Sequence, residues 1–260
     1  MPVLVTGATG VVGRALVPKL VESGGQVRVY VRREVPEYRA LGVKVAIGDA
    51  DHEGRLESAL EQVHTLVHLV GGPLPGRGVT TRWLNLEATE VALRAAENAA
   101  VRRILFLSPL GADPASDHEY LVAKGKAEEA IRESKLEYAI FRCAPVLAPG
   151  SSFAMFLSGG VPADARSARA NPIAAQDVAS ALVAADTRDA ELHGTWELGG
   201  PEVMTFDQVA RRAGLRPPGL RGRLARAPHA LAALYGRDAI ADPGAAVAQF
   251  DLALSPIAAA

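Results

Sequence analysis

A glycine-rich turn near the amino terminus constrains the fold of this chain more than any other feature. The stretch TGATGVVGRAL, residues 6–16, follows a short apolar run at residues 3–5 and leads into a segment with helical periodicity. Gly7, Gly10 and Gly13 give the spacing G-x-x-G-x-x-G. This order of strand, glycine turn and helix is typical of a site where the first N–H groups of a helix bind a phosphate.

The three glycines have separate steric roles in such a turn. Without a Cβ, Gly7 can turn sharply off the strand, Gly10 lets the backbone approach a pyrophosphate, and Gly13 lets the helix pack on the sheet. Three glycines can also form a tight turn and nothing more, but their place between a first strand and a first helix favours dinucleotide binding. We expect the cofactor to contact Gly7, Thr9, Gly10, Val11, Val12 and Gly13.

The end of the second predicted strand, residues 26–31, indicates which dinucleotide is bound. NAD-selective sites place an Asp or Glu there to accept hydrogen bonds from the ribose, whereas this strand is followed by Arg32 and Arg33. Two guanidinium groups suit a 2′-phosphate, so NADP(H) is preferred and NAD(H) remains possible. The alternative is that both arginines are solvated charges, with Glu34 pairing with either.

Apolar runs and helical segments continue to alternate along the chain. Strands are predicted within 41–47, 65–70 and 103–108, with helices at about 53–62 and 80–100. This alternation predicts an α/β fold, a doubly wound parallel sheet whose ligands bind at the carboxyl ends of the strands.

Several residues follow those strand ends. Asp49, followed by Ala50, is placed either to contact the adenine amino group or to cap the next helix. Val70 and Gly71 open a loop where the backbone can pass close to a ligand. His68 lies inside an apolar strand and is interpreted as a buried histidine with satisfied hydrogen bonds.

The fifth strand and the helix after it carry the candidate chemistry. Ser108 ends the strand, and a helix is predicted to begin near His118 with Asp117 as its cap. Tyr120 and Lys124 are four residues apart and therefore share a helical face. A neighbouring ammonium group favours phenolate and is expected to lower the pKa of Tyr120 toward neutrality.

These motifs together resemble a known superfamily. The segments TGATGVVG, VRR, GD at 48–49, NLEATEVALRAAENAAVRR, ILFLSPLGAD and EYLVAKGKAEEAIRESKLEYAIFRCAPVL are similar to the atypical short-chain dehydrogenases/reductases. Within that superfamily the chain is most similar to NmrA-like NAD(P)H-binding proteins and to the nucleotide-binding accessory subunit of respiratory complex I. The later segments NPIAAQDVASALVAA and GTWELGGPEVMTFDQVAR extend the similarity over residues 2–212. The fold implied is the NAD(P)-binding Rossmann fold.

The resemblance also implies residue roles. Ser108 polarises a substrate carbonyl, Tyr120 transfers the proton, Lys124 binds the nicotinamide ribose and tunes Tyr120, and Asn85 occupies the supporting asparagine position. The family's usual Arg-Pro is replaced here by the run that begins at Cys143. Many relatives bind the nucleotide as sensors or structural subunits, so two functions remain open: an NADP(H)-dependent oxidoreductase, and an NAD(P)H-binding sensor or assembly protein without turnover. Retention of Tyr120 and Lys124 favours the enzyme.

Composition and charge argue against several other kinds of protein. A net charge of -1 gives no general attraction for nucleic acid, and the basic stretch 212–226 has no interleaved aromatic residues. No apolar run is long enough to span a bilayer, and the first strand leaves no room for a signal peptide, so we expect a cytoplasmic protein. One cysteine excludes an internal disulfide and a cysteine-rich metal site, and no metal is expected. No feature indicates an oligomer.

We predict one NAD(P)-binding domain over residues 1–260. Its Rossmann core comprises about 1–148 and 172–198, and a small substrate lobe comprises about 149–171 and 199–260. An apolar segment after residue 150 predicts a small, partly apolar carbonyl substrate, although core packing explains the segment equally well. A nucleotide-sugar epimerase or dehydratase is disfavoured, because the C-terminal portion is short for so large a substrate.

Overall fold

A computed structural model describes residues 2–215 and 229–257. Its strands, in chain order, are β1 (Pro2–Thr6), β2 (Gln26–Val31), β3 (Lys44–Ile47), β4 (Thr65–His68), β5 (Arg103–Pro109), β6 (Glu137–Cys143), β7 (Val146–Leu147), β8 (Arg169–Ala170), β9 (Ile173–Ala174), β10 (His193–Leu198) and β11 (Met204–Thr205). Its α-helices are α1 (Val11–Glu22), α2 (Pro36–Ala40), α3 (Glu53–Leu60), α4 (Ala88–Asn98), α5 (Glu119–Glu133), α6 (Ser152–Ser158), α7 (Ala175–Asp186), α8 (Phe206–Arg212), α9 (His229–Leu234) and α10 (Gly244–Phe250). A π-helical turn (Trp83–Glu87) precedes α4, and a 3-10 turn spans Ala163–Ala165.

A seven-stranded sheet with the order β10-β6-β5-β4-β1-β2-β3 forms the centre of the fold. Every pairing in it is parallel. The chain proceeds outward from β1 through β2 to β3, and then restarts at β4 on the other side of β1. The predicted doubly wound parallel sheet is therefore confirmed, and the point where the order reverses lies between β1 and β4, where such folds bind ligands.

Helices cover both faces of this sheet. On one face, α1, α7 and α10 pack around residues such as Leu16, Leu182 and Phe250. On the other face, α3, α4 and α5 enclose a second cluster that includes Leu60 and Phe106. Burial on both faces explains why the central strands have nearly continuous apolar sequences instead of alternating ones.

A third hydrophobic cluster lies outside the two faces of the sheet. Phe153, Phe156 and Leu157 of α6 pack there with Phe206 of α8 and Leu231 of α9. The core-packing alternative for the segment after residue 150 is thus observed. Met155 of the same helix is 46% exposed and lines a cavity.

Several elements differ from their predicted bounds. The helix expected at 80–100 contains the π-helical turn, and the strand expected at 65–70 ends at His68. The C-terminal tail forms α10, which covers one edge of the sheet by packing against β10 and α7. Most of the basic stretch 212–226 lies outside the described residues.

Asp177 holds the described end of this tail by hydrogen bonds. Its carboxylate accepts hydrogen bonds from the backbone N–H and the hydroxyl of Ser255, at 2.7 and 3.1 Å. No helix in the described ranges combines the length and hydropathy needed to cross a membrane.

Candidate functional site

Two adjoining cavities open at the carboxyl edge of the sheet, on either side of the glycine turn. We call them the small cavity, of about 370 Å³, and the large cavity, of about 810 Å³. Gly7, Gly10 and Gly71 line both. A ligand that spans the two cavities would therefore pass over the turn at the reversal of the strand order.

The glycine turn leaves space that a side chain would remove. Gly7 has a φ of +67°, and a Cβ on it would lie 2.5 Å from the carbonyl carbon of Leu69. A Cβ on Gly13 would lie 2.5 Å from the carbonyl oxygen of Ala8, which allows α1 to press against the turn. Gly10 is the N-cap of α1, and no side chain caps the helix. The first N–H groups of α1 thus remain available to an anion.

The large cavity receives one of the two predicted arginines. Both arginines are exposed, and Arg32 lines the cavity whereas Arg33 does not. Glu34 pairs with neither of them; it forms two hydrogen bonds with Arg39, at 2.6 and 3.1 Å, which lower the pKa of Glu34. The pairing of Glu34 with either arginine, which belonged to the alternative interpretation, does not occur, and Arg32 has no ion-pair partner among the described residues.

Asp49 also lines the large cavity, together with Thr9, Ala50 and Val70. Its carboxylate accepts a hydrogen bond from the N–H of Ala50 at 2.8 Å. The N-cap of α3 is His52, so the helix-capping alternative for Asp49 is wrong.

His68 of β4 is fully enclosed at the base of the large cavity. Its ring nitrogens lie 2.9 Å from the hydroxyl of Thr6 and 3.3 Å from that of Thr89. Burial, with a smaller contribution from Lys124, lowers the pKa of His68 to about 3. The interpretation of His68 as a neutral, hydrogen-bonded core histidine is confirmed.

Asn85 stabilises the loop beside the cavities without lining either of them. It lies in the π-helical turn, is completely buried and lines neither cavity. Its side chain accepts a hydrogen bond from the N–H of Gly72 and donates to the carbonyl oxygens of Gly72 and Thr81, at 2.8, 3.0 and 2.9 Å. Asn85 thus holds the loop in which Gly71, with a φ of +146°, passes between Asn85 and Lys124.

Ser108, Tyr120 and Lys124 come together in the small cavity, with the start of α1 opposite them. The Oγ of Ser108 is buried and has no hydrogen-bond partner among the described residues. The Nζ of Lys124 donates to the carbonyl oxygen of Leu107 at 2.9 Å and lies 4.1 Å from the ring centre of Phe106.

The electrostatic prediction for Tyr120 is wrong. Burial raises the pKa of Tyr120 well above its ordinary value, and Tyr235 and Cys143 raise it further. Lys124 does not lower it, because its ammonium group turns toward Leu107 and the Phe106 ring. Burial instead lowers the pKa of Lys124 to about 7, against an opposing effect of Glu128.

The predicted cap of α5 is also wrong by one residue. His118, not Asp117, is the N-cap, and its Nδ1 accepts a hydrogen bond from the N–H of Tyr120 at 3.2 Å. The Nε2 of the same ring contacts the carbonyl oxygen of Ala230 at 3.2 Å. Because Nδ1 accepts and Nε2 faces a carbonyl, the ring is in its Nε2–H tautomer.

Sequence reasoning identified one side of the far wall of the small cavity, the segment after residue 150, and missed the other side. This lobe wall consists of Ser151, Ser152, Met155, Leu234, Tyr235 and Ala239. Ser151, Ser152 and Met155 come from α6 and its N-cap. Leu234, Tyr235 and Ala239 come from the end of α9 and the chain after it, 22 to 27 positions beyond residue 212. The signal that was available is a lone tyrosine in an alanine-rich tail.

The residues present fit a bound nicotinamide dinucleotide. An uncapped helix start beside the glycine turn suits its diphosphate, and Arg32 lines the cavity on the side of β2. The unpartnered hydroxyl of Ser108 lies in the small cavity on the other side.

Comparison with known proteins agrees with this assignment. A family model described as NAD(P)H-binding matches residues 7–188. The chain is 31% identical to the mitochondrial NADH dehydrogenase [ubiquinone] 1 alpha subcomplex subunit 9 of Arabidopsis thaliana, over 79% of this chain and 55% of that protein. It is also 31% identical to the ceramide reductase of Caulobacter vibrioides, over 70% of this chain and 60% of that protein. The chain therefore spans little more than half the length of these relatives.

Solved structures support the same fold. A nucleoside-diphosphate-sugar epimerase from Staphylococcus aureus superposes with a TM-score of 0.75, covering 100% of this chain and 99% of its own, at 16% identity. At that identity the similarity concerns the fold alone.

Proposed function

This chain belongs to the NAD(P)H-binding family, and from that membership we propose that it is an NADP(H)-dependent oxidoreductase acting on a small, partly apolar carbonyl compound. Ser108, Tyr120 and Lys124 are the reacting and cofactor-binding side chains. The lobe wall encloses the substrate, in keeping with a substrate lobe formed by about 149–171 and 199–260.

One observation carries this proposal: the buried, unpartnered hydroxyl of Ser108 in the same cavity as Tyr120 and Lys124. A buried hydroxyl without a partner costs on the order of 1–3 kcal/mol. That cost is removed when the Ser108 hydroxyl donates to a substrate carbonyl oxygen, which is the interaction that stabilises negative charge on this oxygen during reduction.

The residues then divide the chemistry between them. A nicotinamide dinucleotide, once bound, would provide the hydride for reduction of the carbonyl carbon. Tyr120, which is protonated because burial raises its pKa, gives its phenolic proton to the carbonyl oxygen. Lys124 would hold the nicotinamide ribose by hydrogen bonds, and Gly71, which lacks a Cβ, leaves room beside the Lys124 Nζ.

Preference for NADP(H) over NAD(H) is part of the proposal and depends on Arg32. Its guanidinium group lines the large cavity without an ion-pair partner among the described residues. A 2′-phosphate supplies the acceptor oxygens that such a group binds strongly.

Replacement of Tyr120 by Phe tests the oxidoreductase. NADPH consumption with a panel of small aldehydes and ketones should fall by at least roughly 100-fold, the contribution typical of a positioned general acid. NADPH affinity, measured by calorimetry, should stay within about twofold. Tyr138→Phe, on β6 and outside both cavities, is the matched control.

A second function is favoured by the enclosure of Tyr120 and by similarity to a protein named as a respiratory-complex subunit. In that case the chain binds NADP(H) as a sensor or assembly protein. Wild-type protein would then bind the nucleotide without consuming it with any carbonyl compound, and Tyr120→Phe would leave its behaviour unchanged.

A further inference from the structure

The lobe wall of the small cavity carries a pair of hydroxyl groups that the reaction above does not use. Tyr235 follows α9, and Ser152 begins α6. Both residues line the cavity that holds Ser108 and Tyr120. The pair therefore faces the place where a substrate must bind.

The two hydroxyls bond to each other and keep capacity for a third group. The Oγ of Ser152 and the phenolic oxygen of Tyr235 are 2.9 Å apart, and neither has another partner among the described residues. Each hydroxyl has one proton and two lone pairs, so their mutual bond leaves one proton and several lone pairs unused. Burial raises the pKa of Tyr235 to about 12, so the pair is neutral at physiological pH.

Aromatic packing fixes the phenol of Tyr235 in position. Its ring centre lies 5.1 Å from that of Phe153 and 5.3 Å from that of Phe156, and both phenylalanines are fully buried. A pair of hydroxyls on such a rigid support loses little conformational entropy when it binds a ligand.

A histidine connects this wall to the helix that carries Tyr120. The Nε2 of His118 contacts the carbonyl oxygen of Ala230 in α9, and Nδ1 of the same ring accepts from the N–H of Tyr120. Tyr235 is also close enough to Tyr120 to raise its pKa. The two tyrosines are thus held as neighbours by contacts outside the cavity.

We propose that the Tyr235–Ser152 pair is a specificity subsite that binds a second, neutral oxygen of the substrate, while Ser108 and Tyr120 bind the reacting carbonyl. The substrate class is a hydroxy- or oxo-substituted carbonyl compound with an apolar remainder, which Met155 and Leu234 contact. This inference rests on the proposed function and adds the substrate class to it.

The second oxygen is neutral because of the charges that surround the subsite. Lys124 is the one charged side chain among the described residues that line the small cavity, and it lies on the wall of the sheet and α5. A hydroxyl or carbonyl group matches the one available proton and the lone pairs of the hydroxyl pair. A carboxylate there would face several lone pairs with a single donor.

Two ketones that differ by one hydroxyl test the subsite: phenylacetone and phenylacetylcarbinol. Wild-type protein with NADPH should prefer phenylacetylcarbinol by roughly tenfold in kcat/KM, because about 1.4 kcal/mol corresponds to a factor of ten. Tyr235→Phe and Ser152→Ala should each remove this preference, so that the kcat/KM values for the two ketones agree within about twofold, and should leave the KM for NADPH within about twofold. Tyr138→Phe and Ser180→Ala, both outside the cavities, are the matched controls.

Calorimetric titration of both ketones into the NADP⁺ complex separates this inference from the proposed function. Tighter binding of phenylacetylcarbinol that is lost in Tyr235→Phe supports the subsite even if no turnover is found. Three results overturn the subsite: a preference that persists in both variants, equal loss of activity with both ketones, or a wild-type complex that binds neither ketone. Ser152→Ala keeps the test available if Tyr235→Phe fails to fold, because Ser151, not Ser152, caps α6.

Discussion

The Nζ of Lys124 donates a hydrogen bond to the carbonyl oxygen of Leu107, at 2.9 Å. Leu107 immediately precedes Ser108, so this bond links the helix that carries Tyr120 to the end of β5. It also explains why the ammonium group is directed toward the sheet. Lys124 is 3% exposed, and this enclosure is the main reason for its low pKa.

Replacement of Lys124 by Met is expected to change how stability depends on pH. The pKa of Lys124 is lowered from 10.5 to about 7, so between these values the unfolded chain binds more protons than the folded protein. Wild-type stability should therefore rise as pH increases through this interval. Below pH 7, Lys124→Met should be more stable than wild type by roughly 1–3 kcal/mol, the cost of the buried polar group.

Urea unfolding across this pH interval measures the effect. The advantage of Lys124→Met should shrink as pH rises toward 10.5 and be smallest above that value, where the lysine is neutral in both states. Lys126→Met, at an exposed position of the same helix, is the control and should show no such trend. A constant difference at all pH values would contradict the prediction.

The glycines of the turn should differ in their tolerance of a methyl group. Gly13→Ala places a Cβ 2.5 Å from a backbone oxygen that cannot withdraw, and should destabilise the fold by roughly 1–3 kcal/mol. Gly10→Ala, whose Cβ would lie 3.2 Å from the carbonyl oxygen of Gly7, should fold but bind NADPH more weakly. Thermal unfolding and calorimetry distinguish the two. Gly54→Ala in α3 meets no atom within 4 Å and should be neutral or slightly stabilising.

The two arginines after β2 should contribute unequally to cofactor choice. Arg32→Ser removes the guanidinium group that lines the large cavity, and should raise the Kd for NADPH by roughly 10- to 100-fold, with little change for NADH. Arg33→Ser is the matched variant and should have a smaller effect. Equal binding of NADPH and NADH by wild-type protein would contradict the proposed preference.

Removal of the α5 cap should weaken the fold. His118→Ala leaves the N–H of Tyr120 without its side-chain acceptor, and should lower the free energy of unfolding by about 1 kcal/mol. His118→Asn retains a short acceptor for this N–H and should recover most of the loss. Urea unfolding of the three proteins measures the effect. If His118→Ala had the same free energy of unfolding as wild type, the cap would contribute nothing.

The sequence by itself determined the parts of this protein that depend on neighbours along the chain. The glycine turn, the alternation that gives a parallel sheet and the placement of Ser108, Tyr120 and Lys124 all follow from local periods and backbone geometry. The burial of His68 was also predictable, because its strand is otherwise apolar. In the structure every residue of that strand is buried.

Only the tertiary structure decided how these groups are used. Three features depend on atoms that folding brings close. They are the hydrogen bond from Lys124 to Leu107, the burial that raises the pKa of Tyr120, and the cap formed by His118. Tyr235 is 115 positions beyond Tyr120, and no local pattern fixes where so distant a side chain packs. Periodicity determines which face of an element is apolar, but desolvation and hydrogen bonding are set by the three-dimensional surroundings of each group.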